Sequence, residues 1–193
     1  MRPEAGDWML SVEDTAIPAV KIVTPKRFGD HRGFFSETWS RKAFAEAGLD
    51  LDFVQDNHSL SAAVGTLRGL HFQSPPFAQD KLVRVARGSI LDVAVDIRAS
   101  SPSFGRHVAV ELSAENWRQL LVPAGFAHGF VTLEPDTEVL YKVTAPYAPE
   151  HDHGLAFDDP ALGIDWRLPP DALTLSDKDR RHPRLAALPR CFD

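Results

Sequence analysis

Apolar and polar residues alternate with a period of two along much of the chain. In the stretch GTLRGLHFQSPPFAQDKLVRVARG, from Gly65 to Gly88, Leu67, Gly69, His71 and Gln73 share one face of a strand. Arg68, Leu70 and Phe72 share the other. This parity sets Arg68 opposite His71, so Arg68 would reach a cavity lined by His71 only from its rim. In Ser89–Asp96 the residues Ile90, Asp92, Ala94 and Asp96 oppose Leu91, Val93 and Val95. The same reading predicts strands at Ala19–Thr24, Phe34–Trp39, Phe53–Ser61, Thr66–Gln73, Lys81–Arg87, His107–Leu112, Gln119–Val122, Gly129–Thr132 and Glu138–Thr144. Short apolar runs such as Val83–Ala86 do not declare their period, but their β-branched content favours strand. A helical pattern is confined to Arg41–Ala47, with Ser40 as N-cap and Gly48 as its stop. After a loop at Pro169-Pro170, Ser176–Asp179 opens a second short helix that ends before Pro183. With 15 prolines and 12 glycines dividing the strands, the pattern is that of an all-β barrel or sandwich.

Composition narrows the function classes. At 193 residues with no linker, residues 1–193 read as one domain with a sizeable core. The net charge of −6 argues against a general nucleic-acid binder, although Arg32, Arg68 and Lys81 can still form a local basic pocket. Cys191 is the single cysteine, so no intrachain disulfide forms, which fits a reducing compartment. There is no apolar run of signal-peptide or membrane-spanning length, and the expectation is a cytoplasmic protein without a membrane partner.

Two stretches carry candidate chemistry. Gly65, His71, Gln73, Lys81 and Gly88 are spaced like the first motif of a cupin barrel, and Pro123-Ala-Gly125-Phe-Ala-His128-Gly-Phe130 resembles the second. Metal-binding cupins place His-x-His and then Glu where this chain has His71, Gln73 and Lys81. A protonated lysine offers donors only and repels a cation. The barrel mouth therefore reads as metal-free and suited to an anion or a developing oxyanion.

Seven stretches in order then extend the likeness over nearly the whole chain. They are Phe28–Glu37, Phe53–Ser59, Leu67–Gln73, Lys81–Arg84, Pro123–Phe130, Leu140–Thr144 and Leu175–Asp179. Together they resemble the dTDP-4-dehydrorhamnose 3,5-epimerases, the RmlC family of metal-independent cupins. The resemblance implies an all-β cupin jelly-roll barrel with short flanking helices. It also implies a dTDP-4-keto-6-deoxy sugar as substrate, no cofactor, and a homodimer whose N-terminal region reaches the neighbour's site.

Residue by residue, the resemblance assigns His71 as the base beside the ketone and Asp179 as its carboxylate partner. Tyr141 matches the acid on the opposite face, and Lys81 the group that holds the enolate oxygen. These types suit the task. Histidine titrates near neutral pH, a phenol is a neutral donor there, and an ammonium stabilises developing negative charge. Arg32 and Arg68 match diphosphate contacts, in keeping with the fit of guanidinium to phosphate oxygens. Glu37, Gln55, Asp56, Asn57, His128 and Lys178 lie in the stretches that match nucleotide-sugar contacts, and His128 alternatively reads as a vestigial metal ligand. Tyr147 and Phe35 resemble the aromatics that flank the thymine ring.

Two positions depart from the family. Asp152 stands where Glu is usual, one methylene shorter. Pro146 precedes Tyr147 where many relatives carry a second aromatic. The shorter Asp152 bears on a contact to the nucleotide, lost or bridged by water, and Pro146 on the pocket beside the sugar and so on whether C3 and C5 are inverted or only one of them. The alternatives to a 3,5-epimerase are a C3-only or C5-only epimerase, a metal-dependent cupin, and a nucleotide-sugar binder without turnover.

Overall fold

A computed structural model describes residues 10–193. In chain order the strands are β1 (Leu10–Asp14), β2 (Lys21–Pro25), β3 (Phe28–Asp30), β4 (Gly33–Phe35), β5 (Gln55–Ser61), β6 (Leu67–Gln73) and β7 (Lys81–Arg87). They continue with β8 (Ser89–Asp96), β9 (His107–Ser113), β10 (Gln119–Val122), β11 (Phe126–Thr132), β12 (Thr137–Val143) and β13 (Asp152–Gly154). One α-helix, α1 (Arg41–Glu46), lies between β4 and β5. Among the described residues no helix is long and apolar enough to cross a membrane.

Two antiparallel sheets face each other, one of six strands in the order β1-β2-β10-β7-β12-β5 and one of five in the order β13-β6-β11-β8-β9. Between them lies a core drawn from both: Val83, Val85, Leu120, Val122 and Val139 on one side, Ile90, Ala94, Val108, Leu112, Phe126 and Phe130 on the other. The architecture is the cupin jelly roll that the motifs implied.

Alternation explains how each strand serves two layers. Leu91, Val93 and Val95 turn away from the barrel and pack under Leu155, Leu162 and Trp166 of the C-terminal segment. The outer face of the six-stranded sheet is covered by Phe44 of α1, seated on Val23, Leu82 and Leu121. All of β8 is buried because both of its faces are covered.

Local signals located α1 well. The Ser40 hydroxyl accepts the Ala43 N–H, and Gly48 adopts φ +81° just beyond the helix. The strand expected at Phe34–Trp39 stops at Phe35. Beyond it, side chains replace the ladder: Ser36 accepts from the Trp117 indole, and the Gln119 amide donates to the Thr38 carbonyl. The second helix is a 3-10 turn over Asp179–Arg181. Its first donor is still satisfied from Ser176, whose hydroxyl accepts the Asp179 N–H. β1, β3 and β13 have no counterpart among the expected strands. They are short and mostly polar, and pairing rather than pattern creates them.

Candidate functional site at the barrel mouth

Register places the chemistry. In the five-stranded sheet, Gly154, His71, His128 and Ala94 stand in one cross-strand row, and Ala94 belongs to the inner core. His71 therefore faces the barrel interior. In the facing sheet, Tyr141 is paired with Val83 and Asn57, and Lys81 shares the inward parity of Val83 and Val85.

Arg68 corrects the simple parity argument. From His128 to Phe130, β11 advances two residues, while its partner β6 advances three, from His71 to Arg68. The extra residue is a bulge at Gly69-Leu70, and it reverses the side-chain alternation. Leu67 and Leu70 consequently both face the outer core, while Arg68 pairs with the inward-facing Phe130. Arg68 and His71 thus share the inner face. Glycine is needed here: Gly69 has φ +133°, and a Cβ on it would lie 2.6 Å from the Gly129 Cα.

The catalytic candidates converge. His71 Nε2 lies 2.5 Å from Asp179 Oδ1, across 108 residues of sequence. The Asp179 side chain is only 5% exposed and that of His71 is 32% exposed, so the imidazole is the open member of the pair. Burial opposes ionisation of Asp179, but the His182 imidazole 3.4 Å away, the hydrogen bond from His71 and the Ser176 hydroxyl prevail and hold its carboxyl well below the usual range. An ionised carboxylate only accepts, so it receives the His71 Nε2–H and leaves the Nδ1 lone pair as the base. Burial also lowers the His71 imidazole below its ordinary value. Lys81 adds to that effect, while Asp179 and Asp152 oppose it.

Lys81 is buried and donates to the His71 carbonyl at 3.3 Å. Desolvation lowers its ammonium to about 8, against the opposing pull of Asp152 and Asp92. Burial pushes the Tyr141 phenol up, with Arg68 partly offsetting the effect.

A connected polar rim surrounds this centre. The Tyr147 hydroxyl donates to Asp152 Oδ2 at 3.0 Å, and the same oxygen accepts from Lys178. The Tyr147 N–H donates to Gln55 Oε1, and the Gln55 amide donates to Asn57 Oδ1. Arg68 reaches Ser61 and the Leu60 carbonyl. His128 is buried with Nε2 2.5 Å from Asp92 Oδ1, directly across from His71. Gln73, in a metal-ligand place of other cupins, spends its amide on the carbonyls of Phe77 and Pro146 and accepts from the Ala148 N–H. It clamps the loop that carries Tyr147.

Some expected residues stand elsewhere. Asp56 has the opposite parity to Gln55 and Asn57 and pairs with Lys142 at 2.9 Å on the outer face. Arg32, Phe35 and Glu37 lie on or just after the β3–β4 hairpin. Phe34 packs edge-on against Trp117, and Arg32 pairs with Asp30. Trp117 precedes Gln119, which pairs with Arg84, so the hairpin is anchored toward the Arg87 end of β7. Lys81 begins that strand, three residues before Arg84 and roughly 10 Å away along it. Two residues with no assigned role join the centre: Asp92, a carboxylate at an inward position of an apolar strand, and His182, three residues after Asp179.

Comparison with known proteins agrees with this geometry. A family model described as dTDP-4-dehydrorhamnose 3,5-epimerase matches residues 14–187. An enzyme of that name from Sinorhizobium fredii is 56% identical over 182 residues, covering 93% of this chain and 92% of its own. The crystal structure of the Legionella pneumophila epimerase RmlC, in complex with dTDP-4-keto-L-rhamnose, superposes with a TM-score of 0.89. It is 45% identical, over 93% of this chain and 95% of that one. The Bacillus anthracis dTDP-4-dehydrorhamnose 3,5-epimerase with TDP and PPi bound gives a TM-score of 0.88 at 48% identity, over 91% and 99% of the two chains. With the jelly roll, the His71–Asp179 pair and the facing phenol already in place, these matches close the question of kinship: the chain belongs to the dTDP-4-dehydrorhamnose 3,5-epimerase family.

Proposed function

We propose that the protein epimerises dTDP-4-dehydro-6-deoxy-D-glucose at C3 and C5, giving dTDP-4-dehydro-L-rhamnose. One observation carries the reading. His71 and Tyr141 stand at inward-facing positions of opposing sheets, and facing sheets stand about 10 Å apart, enough for a pyranose between them. His71 Nδ1 takes the proton from the carbon next to the C4 ketone. The electron pair moves into the carbonyl, and Lys81 stabilises the resulting enolate oxygen. Tyr141 returns a proton to the opposite face, so the carbon is inverted. Solvent restores the phenol and removes the proton from His71. The same cycle at the second carbon completes the conversion. The depressed His71 value keeps the base neutral at neutral pH, and the raised Tyr141 value keeps the acid protonated.

Arg68, Gln55, Asn57, Tyr147, Asp152 and Lys178 stand where they can grip the nucleotide sugar. The reading requires neither metal nor cofactor, because the enolate is held by an ammonium. The hairpin residues Arg32, Phe35 and Glu37, anchored far from their own His71, serve the neighbouring subunit of a homodimer.

The test is incubation with dTDP-4-dehydro-6-deoxyglucose in heavy water, followed by NMR. Deuterium at both C3 and C5 of an inverted product is expected. Deuterium at one carbon would narrow the activity to a single-carbon epimerase, and none at either would remove the reading.

A further inference from the structure

Asp179 serves two imidazoles. Besides His71, His182 brings Nε2 to 3.4 Å from the same Oδ1, and its side chain is only 8% exposed. The two rings meet edge to face with centroids 5.5 Å apart. His182 Nε2 is buried without a well-formed hydrogen bond, so the shared carboxylate oxygen is the acceptor in reach. The ring has a place made for it. Gly154 stands opposite His71 in the ladder, and a Cβ there would fall 2.2 Å from His182 Cε1. A buried donor left half-satisfied costs about 1–3 kcal/mol, so its retention beside the dyad calls for a role.

We propose that His182 is a positioning residue, whose Nε2–H supplies a second donor to Asp179 Oδ1 and so limits how strongly that carboxylate holds the proton of His71. A carboxylate shared between two donors is a weaker partner for each. His71 is thereby kept in its neutral, proton-accepting form at lower pH than one unshared aspartate would allow. The other charged groups around His71 do not replace this control. Lys81 on β7 disfavours its protonation, Asp152 on β13 favours it, and the facing His128 is already paired with Asp92 of β8. The inference rests on the assignment of His71 as the base, but its first test does not need turnover.

In the unmodified protein, imidazole nitrogen NMR reads the tautomer directly. An Nε2–H tautomer of His182 is expected, and an Nδ1–H tautomer would overturn the proposal. The titration of His71 is then followed by NMR in His182→Leu, which has no donor, and in His182→Gln, which keeps an N–H. The Leu variant is expected to titrate about 0.5–1 pH unit higher, with the acid limb of kcat/KM moving alike, while Gln stays near the parent. A structural role alone would leave the His71 titration unmoved in the Leu variant, or would move it equally in both, and either result sinks the idea. If the Leu variant does not fold, the tautomer and the Gln variant still decide. A parent that incorporates no deuterium would remove the epimerase reading and leave these NMR outcomes interpretable.

Discussion

Raising the pH from 7 to 9 titrates Lys81 in place. Its ammonium, buried at the head of β7, loses its proton at about 8 rather than at 10.5. About nine-tenths of the sites carry the charge at pH 7 and about one-tenth at pH 9. If the charge stabilises the enolate, kcat/KM falls roughly tenfold between those two values. The assay is a kcat/KM profile from about pH 5.5 to 9.5, read by NMR of the sugar. Lys81→Arg, whose guanidinium stays charged, should lose the alkaline limb even if its bulk lowers the plateau. Lys81→Met should lose on the order of 10²–10³ in kcat across the profile. Stability supplies an independent reading. Between about pH 8 and 10.5 the unfolded chain still binds a proton that the folded chain has released, so stability rises with pH across that window. At neutral pH the buried charge costs about 3 kcal/mol, an upper figure for what Lys81→Met would restore. A parent profile flat to about pH 9.5, or an alkaline limb that persists unchanged in Lys81→Arg, would refute the assignment of Lys81.

Three further outcomes are expected. His71→Ala should abolish deuterium incorporation at both carbons, whereas Tyr141→Phe should still exchange but yield little inverted sugar; unchanged turnover in His71→Ala would remove the mechanism. Gly69→Ala should lose about 2–4 kcal/mol by denaturant unfolding, because its Cβ would meet backbone atoms of Gly129 and His128 at 2.6 and 2.9 Å; a loss under about 1 kcal/mol would show that the bulge is not required. In the proposed homodimer, co-expressed His71→Ala and Arg32→Ala chains, each nearly inactive alone, should recover about a quarter of parent activity, since half of all dimers would be mixed and each would hold one intact site. No recovery would place Arg32 outside the neighbour's site.

The sequence by itself determined most of the strands and the α-helix at Arg41–Glu46, and its resemblance to a family named the candidate groups for proton transfer beside a ketone. These are local matters. Alternation, capping at Ser40 and the glycine at position 48 act within a few residues, and a lysine in a metal-ligand place carries its meaning without coordinates. Tertiary structure decided what depends on pairing between distant segments. Reading Arg68 as opposite His71 followed from strict alternation, and only the partner strand reveals the bulge that brings them to one face. Asp56, one residue from Gln55 and Asn57 in a matching motif, turns to the outer face for the same reason of parity, here uninterrupted. His182 carried no signal in the chain. It gains meaning because a turn from the C-terminal segment lays Asp179 against β6 and leaves its ring over Gly154. Side-chain types are set by sequence, but the desolvation and shared acceptors that tune them exist only after residues far apart in the chain are packed together.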